Sequence, residues 1–447
     1  MNPIVVVGAG VTGCVIANGL AKKGYKVLLI EKESKPGGLA KTFRYDGYSF
    51  DIGPHRFFTN KERISEFIKK TLKDDYNIIS RHSEVYFLGK YYCWPLRPTV
   101  AFKLPVALSF KSAWDLILMQ IRQNIKHADT FEDYILKNYG PSLYNAFFKG
   151  YTEKFLGYPP SDIHSRWAKE SIQRTIIDER MASRNLFDIL KLFFVFKPLK
   201  TEFIYPAQGT DIFCTRLISE MTHYDTDILM DSSIKYLSTS ENRIDEVYVN
   251  NESIKPEKVI WTGPLYRICN LLDVPYDGLE YLSLVVFNIE LKNTIKKDFQ
   301  WCYYGDKDIV FSRVTIPRVF SKALIPDGKS SLCVEITCRT YDDMWNNPER
   351  YTGKVKNDLL KVDLIKKVDE IGNIHIEKII NAYPIYKVDY AQKLKTAMNN
   401  LDRFENLQLA GRTALFWYNN MDDSIENGLN ILENITKREN ESITVGK

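Results

Sequence analysis

The sequence predicts an α/β fold with an inserted, mainly helical domain and an antiparallel β-sheet, and three observations predict it. The chain begins on a strand, a glycine-rich turn, a helix and a second strand. Residues 104–196 have helical spacing, and residues 280–340 alternate in a β pattern. At 447 residues the chain is too long for one simple core, so two or three interlocked domains are expected.

Taken in order, Pro3-Ile-Val-Val-Val-Gly8 is an apolar run of strand length, residues 11–23 have helical spacing, and residues 26–30 form a second buried strand. Together they make a βαβ unit. A loop through Gly37-Gly38 leads to short strands over 43–50. The aromatic-rich stretch 104–197, punctuated by Gly140-Pro141 and Tyr158-Pro-Pro160, is predicted as the helical domain. Strand-like text returns near Ile234 and at residues 258–261, which end in Gly263-Pro264. Residues 284–287, 308–314 and 332–337 predict an antiparallel sheet over the site. A last helix over 424–435 gives way to a polar, frayed tail. The expected domains are 1–75 with 200–275 and 375–447, then 104–197, then 76–103 with 276–374.

Composition narrows the function. Hydrophobic residues make up 45% and charged residues 26%, which excludes a disordered chain. A net charge of +5 without a Lys/Arg block or a Cys-x-x-Cys spacing argues against nucleic acid and predicts no metal site. Seven scattered cysteines (Cys14, Cys93, Cys214, Cys269, Cys302, Cys333, Cys338) read as small hydrophobes in a reducing compartment. No signal-like start is present, and the cytoplasm is the expected location. The apolar run 186–196 is interrupted by Asp188 and Lys191 and falls short of the ~20 residues a bilayer needs, so it reads as a core helix rather than an integral membrane segment.

The motif that carries chemistry is Gly8-x-Gly10-x-x-Gly13, placed between a strand and a helix. Gly8 permits the tight turn, Gly10 lets the backbone approach a pyrophosphate, and Gly13 lets helix and strand pack closely. The pyrophosphate then sits on the helix N-terminus. Glu31, ending the second strand, is spaced to accept from an adenosine ribose and would repel a 2′-phosphate. The unit predicts a Rossmann-like domain, against the blander possibility that its glycines serve packing alone. A second glycine turn, Gly37-Gly38-Leu39, and a late Gly411-Arg412 followed by Met421-Asp422 and a helix separate FAD from NAD as the cofactor. The full expectation is an α/β protein: a Rossmann-like FAD-binding domain, an inserted helical domain and an antiparallel β-sheet substrate domain.

These residues resemble the FAD-dependent amine oxidase and protoporphyrinogen oxidase superfamily, and within it the UDP-galactopyranose mutases. Gly53-Pro-His55-Arg-Phe-Phe-Thr-Asn60 resembles the mutase segment whose histidine lies beside the flavin. Phe87-Leu-Gly-Lys90 through Trp94-Pro95-Leu96 resembles its lysine-glycine hairpin. Lys149-Gly-Tyr-Thr-Glu-Lys154 matches a mutase stretch residue for residue, which implies that Tyr151 helps hold a nucleotide base. Tyr383-Pro384 resembles a turn near the diphosphate, and Gly411-Arg412 with Met421-Asp422 the final flavin signature. Two positions depart. Leu156, beside Phe155, replaces an expected tryptophan, and one of two diphosphate arginines falls near Leu282, which cannot pair a phosphate. Arg174 is the other.

The resemblance implies a nucleotide-sugar substrate and a pyranose/furanose mutase. A reduced flavin would act through N5 on the anomeric carbon, displacing the nucleoside diphosphate before the ring opens and recloses. An external reductant is then needed, and a homo-oligomer is open. Arg174 would clamp the diphosphate, Tyr151 and Tyr383 would orient the nucleotide, and His55 would tune the flavin or stand as a structural histidine. Arg313 would face flavin or substrate, or make an ordinary cross-strand pair. Phe147, Phe148 and Phe155 are substrate-side candidates or core packing. The alternative is an FAD-dependent oxidoreductase with an apolar tunnel, favoured by the loss of the second arginine. An FAD-binding protein without catalysis is a third reading, opposed by the lysine-glycine-tyrosine segment.

Overall fold

The computed structural model describes residues 2–94, 103–122, 128–170 and 201–445. Its first layer is a five-stranded parallel sheet. Strands β1 (Ile4–Val7) and β2 (Val27–Ile30) flank helix α1 (Val11–Lys22) in sequence and pair with each other in the sheet. The sheet order is Leu407–Leu409, Lys258–Trp261, β1, β2, Thr226–Leu229. β2 is buried along its whole length, because a parallel sheet is covered on both faces, and this is why its text is a continuous apolar run rather than an alternating one. The last helix, Met421–Val445, packs on α1 so closely that a Cβ on Gly19 would stand 2.3 Å from Leu432 Cδ2. Both ends of the chain therefore build one domain. That helix begins before the expected 424 and takes in what the sequence predicts as a tail.

The second layer is a seven-stranded sheet in the order Ile371–Pro384, Tyr281–Leu291, Ser330–Cys338, Arg313–Thr315, Trp301–Tyr304, Ser83–Phe87, Lys90–Trp94. All its joints are antiparallel except Trp301–Tyr304 against Ser83–Phe87, which is parallel. The expected boundary at 374/375 falls inside a strand, since Ile371–Pro384 is one strand whose ladder with Tyr281–Leu291 extends, with two register shifts, from Ile371 to Pro384. Tyr76–Ser80 pairs instead with Glu202–Pro206 in a separate ribbon. Of the strand expected over 308–314, only Arg313–Thr315 forms. The buried-side ammonium of Lys154 accounts for this, because it takes the carbonyls of Asp306, Ile309 and Phe311 at 3.1, 3.2 and 3.0 Å and so diverts them from any ladder.

The helical part, Val106–Arg122, Phe131–Leu143, a wide turn Tyr144–Phe148 and Lys149–Leu156, packs on the seven-stranded sheet through Lys149–Leu156. Phe131–Leu143 starts on a reciprocal Thr130/Asp133 cap and breaks at Gly140, whose φ of 78° precedes Pro141. Lys149–Leu156 ends on Gly157 with φ 68°, the left-handed stop that glycine favours. The segment 186–196 lies outside the described residues.

Candidate active site

A cleft of about 480 Å³ runs between the two layers, a volume within the usual range for small-molecule sites. One end is made of backbone. Gly8 sits at φ 101°, and a Cβ on Gly13 would stand 1.9 Å from the Gly8 carbonyl oxygen, so the turn admits no side chain there. The second glycine turn folds onto the first. The Gly37 N–H donates to the Ala9 carbonyl at 2.8 Å, and a Cβ on Gly38 would meet Gly10 Cα at 3.3 Å. Gly10 differs, for a Cβ built on it meets nothing within 4 Å. Gly10, Gly38, Leu39 and Glu31 all line the cleft. The Glu31 carboxylate is fixed by the Ala9 N–H at 2.7 Å and the Glu33 N–H at 3.0 Å.

The other end is made of side chains on the seven-stranded sheet and the last turn. Arg313 lies cross-strand from Glu335, which is 1% exposed. Its Nε donates to Glu335 Oε1 at 2.6 Å and its Nη2 to Tyr383 Oη at 2.9 Å. Arg313 is thus cross-strand paired, and it also lines the cleft. Arg412 donates to the Ala382 carbonyl at 2.8 Å and to Asn419 O, while its guanidinium lies over the Tyr418 ring at 4.8 Å. Gly411 takes φ 78°, and its N–H donates to Asn427 Oδ1 at 2.9 Å. Met421 lines the cleft at the start of the last helix, whereas its neighbour Asp422 is not among the lining residues.

His55 closes the floor of this end. Burial, and then the positive charges of Arg313 and Arg412, push its pKa down to about 3, so its ring is neutral at ordinary pH. Its Nδ1 is buried without a hydrogen-bond partner.

A second cavity of about 120 Å³ opens beside the first and shares Tyr303, Arg313 and Tyr418 with it. Phe147, Phe148, Tyr151, Phe155, Leu156 and Trp167 wall it. Its rings hold one another: Tyr151 stacks on Phe155 at 5.6 Å, Phe155 meets Tyr383 edge-on at 5.3 Å, and Trp167 stacks on Tyr418 at 4.8 Å. The lysine-glycine-tyrosine helix thus presents Tyr151 to the cavity while Lys154 fastens the helix to the sheet. Leu282 is buried at 1% exposure opposite Tyr383 in the ladder and belongs to the core. Arg174 lies outside the described residues.

Sequence reasoning missed Arg56, Tyr303, Glu335 and Trp167. Arg56 carried a signal, since it follows His55 inside the quoted segment. Tyr303 and Glu335 had none, because only the strand register sets them against Arg313.

Comparison with known proteins adds to this geometry. Residues 6–71 match the family described as NAD(P)-binding Rossmann-like domain. A Klebsiella pneumoniae protein named "Probable UDP-galactopyranose mutase" is 26% identical over 428 residues, 90% of this chain and 96% of that one. The Escherichia coli dTDP-fucopyranose mutase is 25% identical over 328 residues, 72% of this chain and 78% of the other. The chain is similar to the pyranose mutases over nearly its whole length. A crystal structure of reduced UDP-galactopyranose mutase superposes with a TM-score of 0.85 at 21% identity, covering 98% of this chain and 96% of that one. The mutase fold is therefore the fold of this chain, and a flavin is the cofactor the likeness implies.

The residues present fit such a group. Gly10 leaves open the space into which a pyrophosphate approaches, at a helix start with no acidic residue in its first turn. At the far end, the unpartnered Nδ1 of His55 is a polar atom for a heteroaromatic ring to meet. Among the described residues no helix is long and apolar enough to cross a membrane.

Proposed function

We propose that this chain is an FAD-dependent mutase that interconverts the pyranose and furanose forms of a nucleotide-bound sugar. The observation that carries the reading is the junction of the two cavities. A base-sized aromatic pocket, walled by the Lys149–Leu156 helix, opens at Tyr303, Arg313 and Tyr418 onto the far end of the cofactor cleft. Bound and reduced, FAD supplies a nucleophilic nitrogen for the anomeric carbon.

The chain's own residues do the rest. Gly8, Gly10, Gly37 and Gly38 hold the diphosphate of the cofactor on backbone, with Glu31 at the adenosine ribose. Arg412, tied to two carbonyls, and His55, neutral, face the ring system. Phe147, Phe148, Tyr151 and Phe155 take the base and keep water from the junction. Arg313 holds the Tyr383 hydroxyl in place beside the reacting sugar without carrying a net charge there, because Glu335 neutralises it. The flavin must be reduced from outside, and the free cysteines suit a cytoplasmic setting.

The second reading, an FAD-dependent oxidoreductase of amine oxidase or desaturase type, is favoured by the aromatic lining of the smaller cavity and by Leu282. The test is anaerobic incubation of the dithionite-reduced protein with a panel of nucleotide sugars. An isomerised sugar with the flavin still reduced supports the mutase. No product, together with bleaching of the oxidised flavin by amines or polyenes, moves the chain to the oxidoreductases.

A further inference from the structure

Arg56 is a cation in the wall of the cleft, and Asp422 is an acidic group whose charge reaches it. It lines the cleft two residues after Pro54, and its Nη1 donates to the Pro54 carbonyl at 3.0 Å. No carboxylate oxygen lies within 4 Å of it among the described residues. It stacks on Trp301 at 4.2 Å from the ring centroid, and the Arg81 guanidinium lies over the same ring at 5.3 Å. Burial pulls the Arg56 pKa down and Arg313 adds to that pull, while Tyr303, Asp422 and Tyr418 oppose it. A guanidinium carries five N–H donors, and those of Arg56 that the Pro54 carbonyl does not take stand at the wall of the cleft, ready for an acceptor.

The position of Arg56 says what that acceptor belongs to. Trp301 and Tyr303 stand on one face of one strand, and Tyr303 and Gly305 line the aromatic cavity. At about 3.3 Å per residue, Trp301 and Gly305 are roughly 13 Å apart. Arg56 therefore marks one end of a track along this strand whose other end is the aromatic pocket, with the Arg313–Tyr383 pair between them. A ligand with its base in the pocket and its body along the strand brings its distal part to Arg56.

We propose that Arg56 receives an oxyanion of the substrate, supplied by its diphosphate or by an acidic group on its sugar, and so replaces the cation that Leu282 does not provide. This rests on the nucleotide-sugar reading above. Arg56 is a binding residue that selects charge, and it holds its anion bidentately in the manner open to arginine and closed to lysine.

The experiment measures binding of UDP, UDP-galactose and UDP-galacturonate to the full-length, flavin-loaded, reduced protein and to its R56Q and R56K variants. Weakening of all three ligands by tenfold or more in R56Q, with partial recovery in R56K, supports the inference and assigns the anion to the diphosphate. Unchanged UDP binding, with UDP-galacturonate weakened tenfold or more relative to UDP-galactose, supports it and assigns the anion to the sugar. Variants that bind all three like the wild type overturn the inference and leave the mutase reading standing. So does an altered flavin spectrum or flavin content with unaltered ligand binding, which would give Arg56 to the cofactor. A wild type that binds none of the three, and no dTDP or dTDP-sugar either, removes the nucleotide-sugar reading itself. Where R56Q loses its flavin, R56K, which keeps the charge and loses the bidentate fork, decides between the same outcomes.

Discussion

The two ends of the cleft are built from different materials. The glycine end is lined by backbone and a helix terminus: Gly13 has no room for a side chain, and Gly10 leaves its space open to the cleft. At the sheet end the lining is of guanidinium, phenol and imidazole groups carried by strands far apart in sequence. The first kind of site is stiff and generic, for it recognises a diphosphate and little else. The second is specific and open to change, for each charge can be exchanged while the strand stays in place. Leu156 lies in the wall of the smaller cavity, whereas Leu282 is buried in the core of the sheet.

The largest expected effect falls at the sheet end. Glu335→Leu removes the carboxylate of a buried pair and leaves Arg313 charged without its partner, which costs about 3–5 kcal/mol. Thermal melting of the variant measures this. A loss under about 1 kcal/mol would mean that solvent reaches Arg313 and that the sheet end is wetter than its burial implies.

His55 comes next, through pH. Its folded pKa of about 3 lies below the ordinary 6.5, so between these values the unfolded chain binds a proton that the folded chain does not. Stability is full above pH 6.5 and falls as pH drops through the window, with a slope on the order of 1 kcal/mol per pH unit from this residue. His55→Gln should flatten the denaturant-midpoint profile between pH 4 and 6.5. An unchanged slope would place the pH dependence on other groups.

The glycine end answers in a different way. Gly13→Ala drives a methyl onto the Gly8 carbonyl, an atom that cannot swing aside, at a cost of about 1–3 kcal/mol in the protein stripped of flavin. Gly10→Ala meets open space, so the stripped protein should melt within about 1 kcal/mol of the wild type while its flavin affinity drops by tenfold or more. Two alanines three residues apart would then separate folding from binding, and equal effects of the two on the stripped protein would erase the distinction.

This contrast also explains what was legible in the sequence. The glycine turns, β1, α1, β2 and the closure by Gly411-Arg412 could be read because their function lies in local conformation, and local conformation follows spacing. Tyr151 could be read through the match of one short segment, whereas Phe147, Phe148 and Phe155 beside it fit a substrate wall and core packing alike. Glu335 could not, because its meeting with Arg313 depends on the register of two strands, and neither residue announces that register. Of the strand expected over 308–314 only the end forms, because the alternation is real while the carbonyls of Ile309 and Phe311 go to Lys154, far away in sequence. Arg56 stood in plain view after His55. Its place over Trp301 and in the wall of the cleft comes from the fold, which the spacing of residues does not show.

The smallest effect tests the sheet end most finely. Tyr383→Phe removes the acceptor that Arg313 Nη2 reaches at 2.9 Å, while the guanidinium keeps its contacts with Glu335. The expected loss in melting is about 0.5–1.5 kcal/mol, the net worth of one hydrogen bond. If Tyr383 is oriented by Arg313 for work on the substrate, turnover should fall by more than this stability loss implies, with substrate affinity little changed. A variant that melts as poorly as Glu335→Leu would invert the order of support: the phenol, and not the carboxylate, would be what holds the guanidinium in the wall of the cleft.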